Sequence, residues 1–273
     1  MSNNTVRIIS GLVLLGIVVA CLMIGRNATL IFIGLIGPLL IDEIITNFYD
    51  QSRTSKRYIT AQVIYAIGFY FFNFYQVSQS SFNLLISAGV VISTLYAVYL
   101  FLIYKKSETL LKIFRGISWG AGFYALITLG SLAYVIHQDN WRFLFFGLLL
   151  LNFMVDTAAY FTGRQFGKHK LWEAVSPKKT IEGLVGGVFF SVLFTSIFWN
   201  QFVAEVTPIT VGFFIFLALC AQVGDLAQSK LKRQFEIKDS SSLIPGHGGV
   251  YDRVDSLLFV SPLYAFYLMA VFQ

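Results

Sequence analysis

The stretch SGLVLLGIVVACLMIGRNATLIFIGLIGPLLI, Ser10 to Ile41, contains one charged residue, Arg26. A hydrocarbon core about 30 Å thick takes roughly 20 apolar residues of helix. The run therefore reads as two membrane spans that meet near Arg26. Its apolar residues are continuous and rich in Leu, Ile and Gly, without the alternation of a membrane barrel. Helices follow, because a lipid-embedded segment must satisfy its backbone groups internally.

The same pattern recurs along the chain. Approximate spans are expected at 8–25, 28–46, 58–75, 82–104, 117–136, 143–161, 184–204, 208–226 and 254–272, each near the length a bilayer requires. With 56% hydrophobic and only 12% charged residues, the chain lies outside the range of soluble domains, in which about a quarter of residues are charged. The expected fold is an all-α, polytopic integral membrane bundle of about nine transmembrane helices. It reads as one membrane domain over 1–273, with N-terminal spans in 1–140 and a catalytic half in 141–273. Val18–Cys21 loosely resembles a lipoprotein cleavage site, but only Arg7 precedes it and apolar residues continue beyond it, so the segment is expected to be kept as a span. Cys21 and Cys220 both fall within spans, which suggests neither a disulfide framework nor a cysteine metal site.

The net charge of +6 becomes informative once it is placed on the connections, because cytoplasmic loops carry the excess of Lys and Arg. Arg53, Lys56 and Arg57 follow the second expected span, and Lys105, Lys106, Lys112 and Arg115 the fourth. Arg164, Lys168, Lys170, Lys178 and Lys179 follow the sixth, and a further basic run follows the eighth. Arg26 and Arg142 stand alone on the other side. The N-terminus and both long polar connections, about 162–183 and 227–253, should then share the cytoplasmic face, where they could form one site.

The polar residues of those connections have the character of a phosphate and metal site. Asp225 ends an apolar helix, where an ionisable group is costly and marks function. If the last helix starts near Tyr251, Asp252 and Asp255 share a face with Ser256. Adjacent carboxylates suit Mg²⁺, a hard ion that takes one or two carboxylates together with water and phosphate oxygens. The turn IPGHGG, Ile244 to Gly249, lets backbone N–H groups approach an anion, and Lys230, Lys232, Arg233 and Lys238 precede it. Asp156 lies one turn inside the sixth span. Pro177 puts SPKKT, Ser176 to Thr180, in a loop, with Lys178 and Lys179 as phosphate contacts. The glycines of EGLVGG read as helix packing. His247 reads equally as a turn residue, and Asp42 and Glu43 form an acidic pair of unassigned purpose.

These residues resemble the signature of the phosphatidate cytidylyltransferases, the CDP-diacylglycerol synthases. Ser229, Lys232, Arg233, Lys238, Asp239, Leu243 through Gly249, Asp252, Arg253 and Asp255 match its pattern, as do Asp156 to Gly167 and Ser176 to Gly183 upstream. The first half matches only in being hydrophobic. The resemblance implies an enzyme of the cell's inner, cytoplasmic membrane, usually a homodimer, that makes CDP-diacylglycerol and pyrophosphate from CTP and phosphatidic acid. It implies Mg²⁺, with K⁺ as a possible second ion, and no nucleic-acid partner. On this reading Asp225 and Asp252 bind the metal, with Asp255 and Asp156 assisting. Lys232, Arg233, Lys238, Lys178 and Lys179 would neutralise pyrophosphate, and Ser176, Asp239, His247, Gly248, Gly249 and Arg253 would line the substrate site. A cation-coupled transporter, the alternative from another class, would instead place its acids near mid-membrane on broken helices.

Overall fold

The computed structural model describes residues 3–75, 78–102 and 108–272. Its elements are α1 (Asn3–Ile24), α2 (Arg26–Glu43), which runs on into a π-helical turn (Ile44–Phe48), α3 (Lys56–Phe74), α4 (Gln79–Leu102), α5 (Glu108–Gly116), α6 (Gly120–His137), α7 (Trp141–Phe166), β1 (Lys170–Trp172), β2 (Ser176–Thr180), α8 (Ile181–Phe202), α9 (Pro208–Gln234) and α10 (Tyr251–Phe272). Each of the nine expected spans falls on a helix. Among the described residues eight helices are long and apolar enough to cross a membrane, and α3 is not one of them. Tyr58, Gln62, Tyr65, Tyr70 and Asn73 dilute its apolar face. Lys105 and Lys106 lie outside the described residues, as does the end of the span expected at 82–104.

Burial grades inward from α1, the most exposed span, to α6, the most enclosed. Around the outside, Phe189, Phe194 and Ile197 of α8 are exposed, as befits a surface facing lipid, which is as apolar as the side chains themselves. The pair α7 and α8 packs most closely because its small residues permit it: a Cβ on Gly183 would lie 2.8 Å from Ala159 O, and one on Gly187 2.7 Å from Val155 O. The expectation that these glycines serve packing agrees with this geometry.

Two prolines break the helical ladder, and each break is repaired. Pro38 has no N–H to offer Gly34 O, and the buried Tyr65 hydroxyl from α3 donates to that carbonyl instead, at 3.1 Å. In α10, Pro262 frees Leu258 O, which lies 3.3 Å from Ser261 Oγ. Tyr65→Phe is therefore expected to lower stability by about 1–2 kcal/mol by orphaning a buried carbonyl, read as a drop in melting temperature in detergent.

Ser176–Thr180 is strand β2, antiparallel to β1, and not the loop that Pro177 suggested. A two-stranded hairpin tolerates Pro at an edge position that need not donate to a ladder. The alternation of a strand then separates the two lysines. Lys179 points inward to α9, while Lys178 is exposed.

The start of α1 touches the loop before α10 (Arg7 Nε to Gly246 O, 2.8 Å), so the N-terminus, the β-hairpin and the ends of α2, α7 and α9 gather at a single polar end. Arg26 and Arg142 lie at the opposite end, where Arg142 donates to Leu22 O and Arg26 to Gln138 O.

Candidate active site

At the polar end, four elements bring a chain of polar groups together. Lys179 of β2 pairs with Asp225 of α9 and donates to Gln222 Oε1 at 2.8 Å. Gln222 Nε2 donates to Asp156 Oδ1 of α7 at 3.0 Å, and Ser229 Oγ lies 3.4 Å from Asp225 Oδ1. Asp255 of α10 lies within electrostatic range of Asp225, Asp156 and Lys232, and Arg253 within range of Asp156. Asp225, Asp255 and Asp156 thus converge from three helices. Gln222, 3% exposed, was not anticipated, although an amide three residues before Asp225 on an apolar helix could have signalled it.

Asp252 belongs to a different arrangement. Its Oδ1 accepts from Lys232 Nζ at 2.7 Å, with the two side chains 5% and 12% exposed respectively. Its Oδ2 accepts from Ser240 N (2.7 Å), Ser240 Oγ (2.9 Å) and Gly249 N (3.0 Å). An ammonium and two backbone amides hold this carboxylate, and the Ser240 hydroxyl lies within reach of it. Glu43, 3% exposed, sits beside it and accepts from Ser240 Oγ, Ser241 Oγ, Val250 N and Tyr251 N at 2.6–2.9 Å. The glycine turn does present its amides to anions, as its sequence suggested, but the anions facing Gly249, Val250 and Tyr251 are the chain's own carboxylates.

The turn follows from its residues. His247 N donates to Ile244 O across Pro245 and Gly246, and Gly246 has φ 74°, the positive value that a type II turn requires after Pro. A Cβ on Gly249 would collide with Ser240 Oγ and both carboxylate oxygens of Glu43. His247 Nδ1 lies 2.7 Å from Ser10 Oγ. Burial, helped by the nearby charges of Arg253 and Arg7, holds its imidazole below the ordinary value of 6.5. The fold favours the neutral ring, so the folded state loses stability as pH falls through the ordinary imidazole range.

The remaining candidates divide between surface and core. Arg233, Lys238, Asp239 and Arg253 are exposed, Arg233 touching Ile237 O at 3.4 Å. Ser176 pairs with Trp172 in the hairpin, and Gly248 closes the turn by accepting from Ile244 N. Lys230 is a structural cation, 6% exposed, that donates to Leu100 O at 2.6 Å at the end of α4. Asp42 is bound by Arg53 at 2.8 and 2.9 Å and by Tyr58.

The sequence profile of the cytidylyltransferase family matches residues 5–271. The chain belongs to that family. Its catalogued relatives include proteins named phosphatidate cytidylyltransferase from Bacillus subtilis (strain 168), 39% identical over 142 residues, Staphylococcus aureus (strain COL), 41% over 132 residues, and Staphylococcus epidermidis, 40% over 137 residues. These alignments cover 48–50% of this chain and 50–51% of each relative, so the chain spans about half the length of the curated relatives it matches. Within the cytidylyltransferase family, the cluster of acids and lysine at the polar end is this chain's candidate active site.

Among the described residues no three His, Cys, Asp or Glu side chains are close enough to hold one ion. Magnesium does not need such a cage, because it takes one or two carboxylates and fills its shell with water and substrate phosphate. Asp225, Asp156 and Asp255 offer only hard oxygen donors, beside Lys179, which already pairs with Asp225. The residues present fit the ion.

Proposed function

We infer that this multi-pass membrane protein transfers CMP from CTP to phosphatidic acid, giving CDP-diacylglycerol and pyrophosphate. One observation carries the reading: Lys179, Asp225, Gln222, Asp156 and Asp255 converge at the polar end of an apolar bundle, where a water-soluble nucleotide and a lipid headgroup can meet. The family match and the names of the relatives point the same way.

A phosphate oxygen of phosphatidate attacks the CTP α-phosphorus. The new P–O bond forms as the bond to the β-phosphate bridge breaks, and pyrophosphate leaves. Phosphatidate brings its own nucleophile, so the protein's work is positioning and charge neutralisation. Lys178, Arg233, Lys238 and Arg253 are exposed and would meet incoming phosphates, while Lys179 is held by Asp225 and Gln222. Asp225, with Asp156 or Asp255, would hold magnesium, which supplies positive charge and a template for phosphate oxygens. The concentration of Lys and Arg at this end supports a cytoplasmic site in the inner membrane, with acyl chains entering laterally between helices.

The test is radiolabelled CTP supplied with phosphatidate to purified protein in detergent. A CDP-lipid product that disappears when divalent cations are chelated is expected. Absence of product at any divalent concentration overturns the reading.

A further inference from the structure

We propose that Glu43, at the end of α2, is the positioning residue that sets the shape of the Ser240–Asp252 segment for nucleotidyl transfer, an inference that rests on the function above. Glu43 lies about 200 residues along the chain from every group it binds, |i−j| running from 197 to 208. Each of its oxygens accepts one serine hydroxyl and one backbone N–H: Oε1 from Ser241 and Val250, Oε2 from Ser240 and Tyr251. The two amides have no partner within α10, at whose start they lie, and a carboxylate there is favoured by the helix dipole as well.

The same stretch of α2 grips the segment again. Asn47, in the π-helical turn, donates to Ser240 O at 2.7 Å, and a π-helical turn re-aims the side chains that follow it. Ser240 is therefore held by Glu43 and Asn47 on one side and by Asp252 on the other. Its hydroxyl lies 2.8 Å from Glu43 and 2.9 Å from Asp252, and its one hydrogen serves one carboxylate at a time. Few backbone hydrogen bonds brace the segment from within, so its path depends on these buried carboxylates. Exposed Lys238 and Asp239 immediately precede it, Asp252 ends it, and Asp252 fixes Lys232 near Asp255. Moving the Glu43 anchor moves the turn before α10 and, through Asp252, Lys232.

The experiment compares full-length wild type, Glu43→Ala and Glu43→Gln in detergent, by hydrogen–deuterium exchange and by steady-state kinetics. In Glu43→Ala the amides of Val250 and Tyr251 should exchange about tenfold faster, reflecting loss of charge-assisted bonds, with α6 exchanging as in wild type. kcat/KM for CTP should fall about 100-fold, the scale of a misplaced site, with KM for phosphatidate unchanged. Glu43→Gln keeps the length and one acceptor oxygen and should recover part of both effects. It also supplies the comparison if Glu43→Ala fails to fold. Unchanged exchange at Val250 and Tyr251 overturns the proposal, as does faster exchange throughout the bundle with the constants for both substrates impaired together. If wild type makes no CDP-lipid, the proposed function falls, and the exchange data alone decide whether Glu43 holds the segment.

Discussion

Asp225→Asn is expected to leave the protein folded and to lower CMP transfer by about 1,000-fold, the upper range for loss of one preorganised charged group in an active site. The side chain of Asp225 is 25% exposed and that of its partner Lys179 24%, so both ends of the pair keep contact with water. Loss of the pair should therefore cost stability by no more than about 1 kcal/mol. The amide preserves shape and can still meet Ser229. What it removes is the negative charge that orients Lys179 and, with Asp156 and Asp255, attracts a divalent cation. Turnover of labelled CTP beside a melting curve separates the two effects. Wild-type turnover in the variant would remove Asp225 from the mechanism.

Asp252→Asn should behave in the opposite way. Here the pair with Lys232 is buried, and the carboxylate also serves two backbone amides and a hydroxyl. An amide nitrogen on the Oδ2 side would face N–H groups, and on the Oδ1 side it would face an ammonium. Breaking a buried pair from one side typically costs about 3–5 kcal/mol, so the variant should melt well below wild type before its activity is considered. Adding Lys232→Met removes the stranded cation and should recover part of the loss in stability, although not turnover. If Asp252→Asn melts with wild type and is merely inactive, the structural role is refuted and the carboxylate returns to the metal.

These two predictions separate carboxylates that the sequence presents alike. The spacing of Asp252 and Asp255 put them on one face of a helix, and in the structure they begin the same helix. Their partners differ because Asp252 sits on the first turn, within reach of the glycine turn, and Asp255 one turn deeper, near Asp225. A similar division separates Lys178 from Lys179. The pair is basic in any reading, but only the hairpin decides that Lys179 reaches Asp225 and Lys178 the solvent. Lys230 carries the same charge as Lys232, yet it ends α4 by donating to Leu100 O, a role no local pattern announces.

The sequence by itself determined the helical membrane architecture, the family and the polar end where the acids collect. Long apolar runs leave a backbone in lipid no partner but itself, and charge is too costly to place anywhere but at the ends or in a shared interior. Only the tertiary structure decided which acid joins Lys179 and which is bound among Lys232 and the amides before α10. Glu43, Gln222 and Asn47 acquire their roles from groups on other elements, up to about 200 residues away along the chain. Hydrogen bonds are short-ranged and directional, so a side chain's role follows from what the packed helices bring within about 3 Å of it.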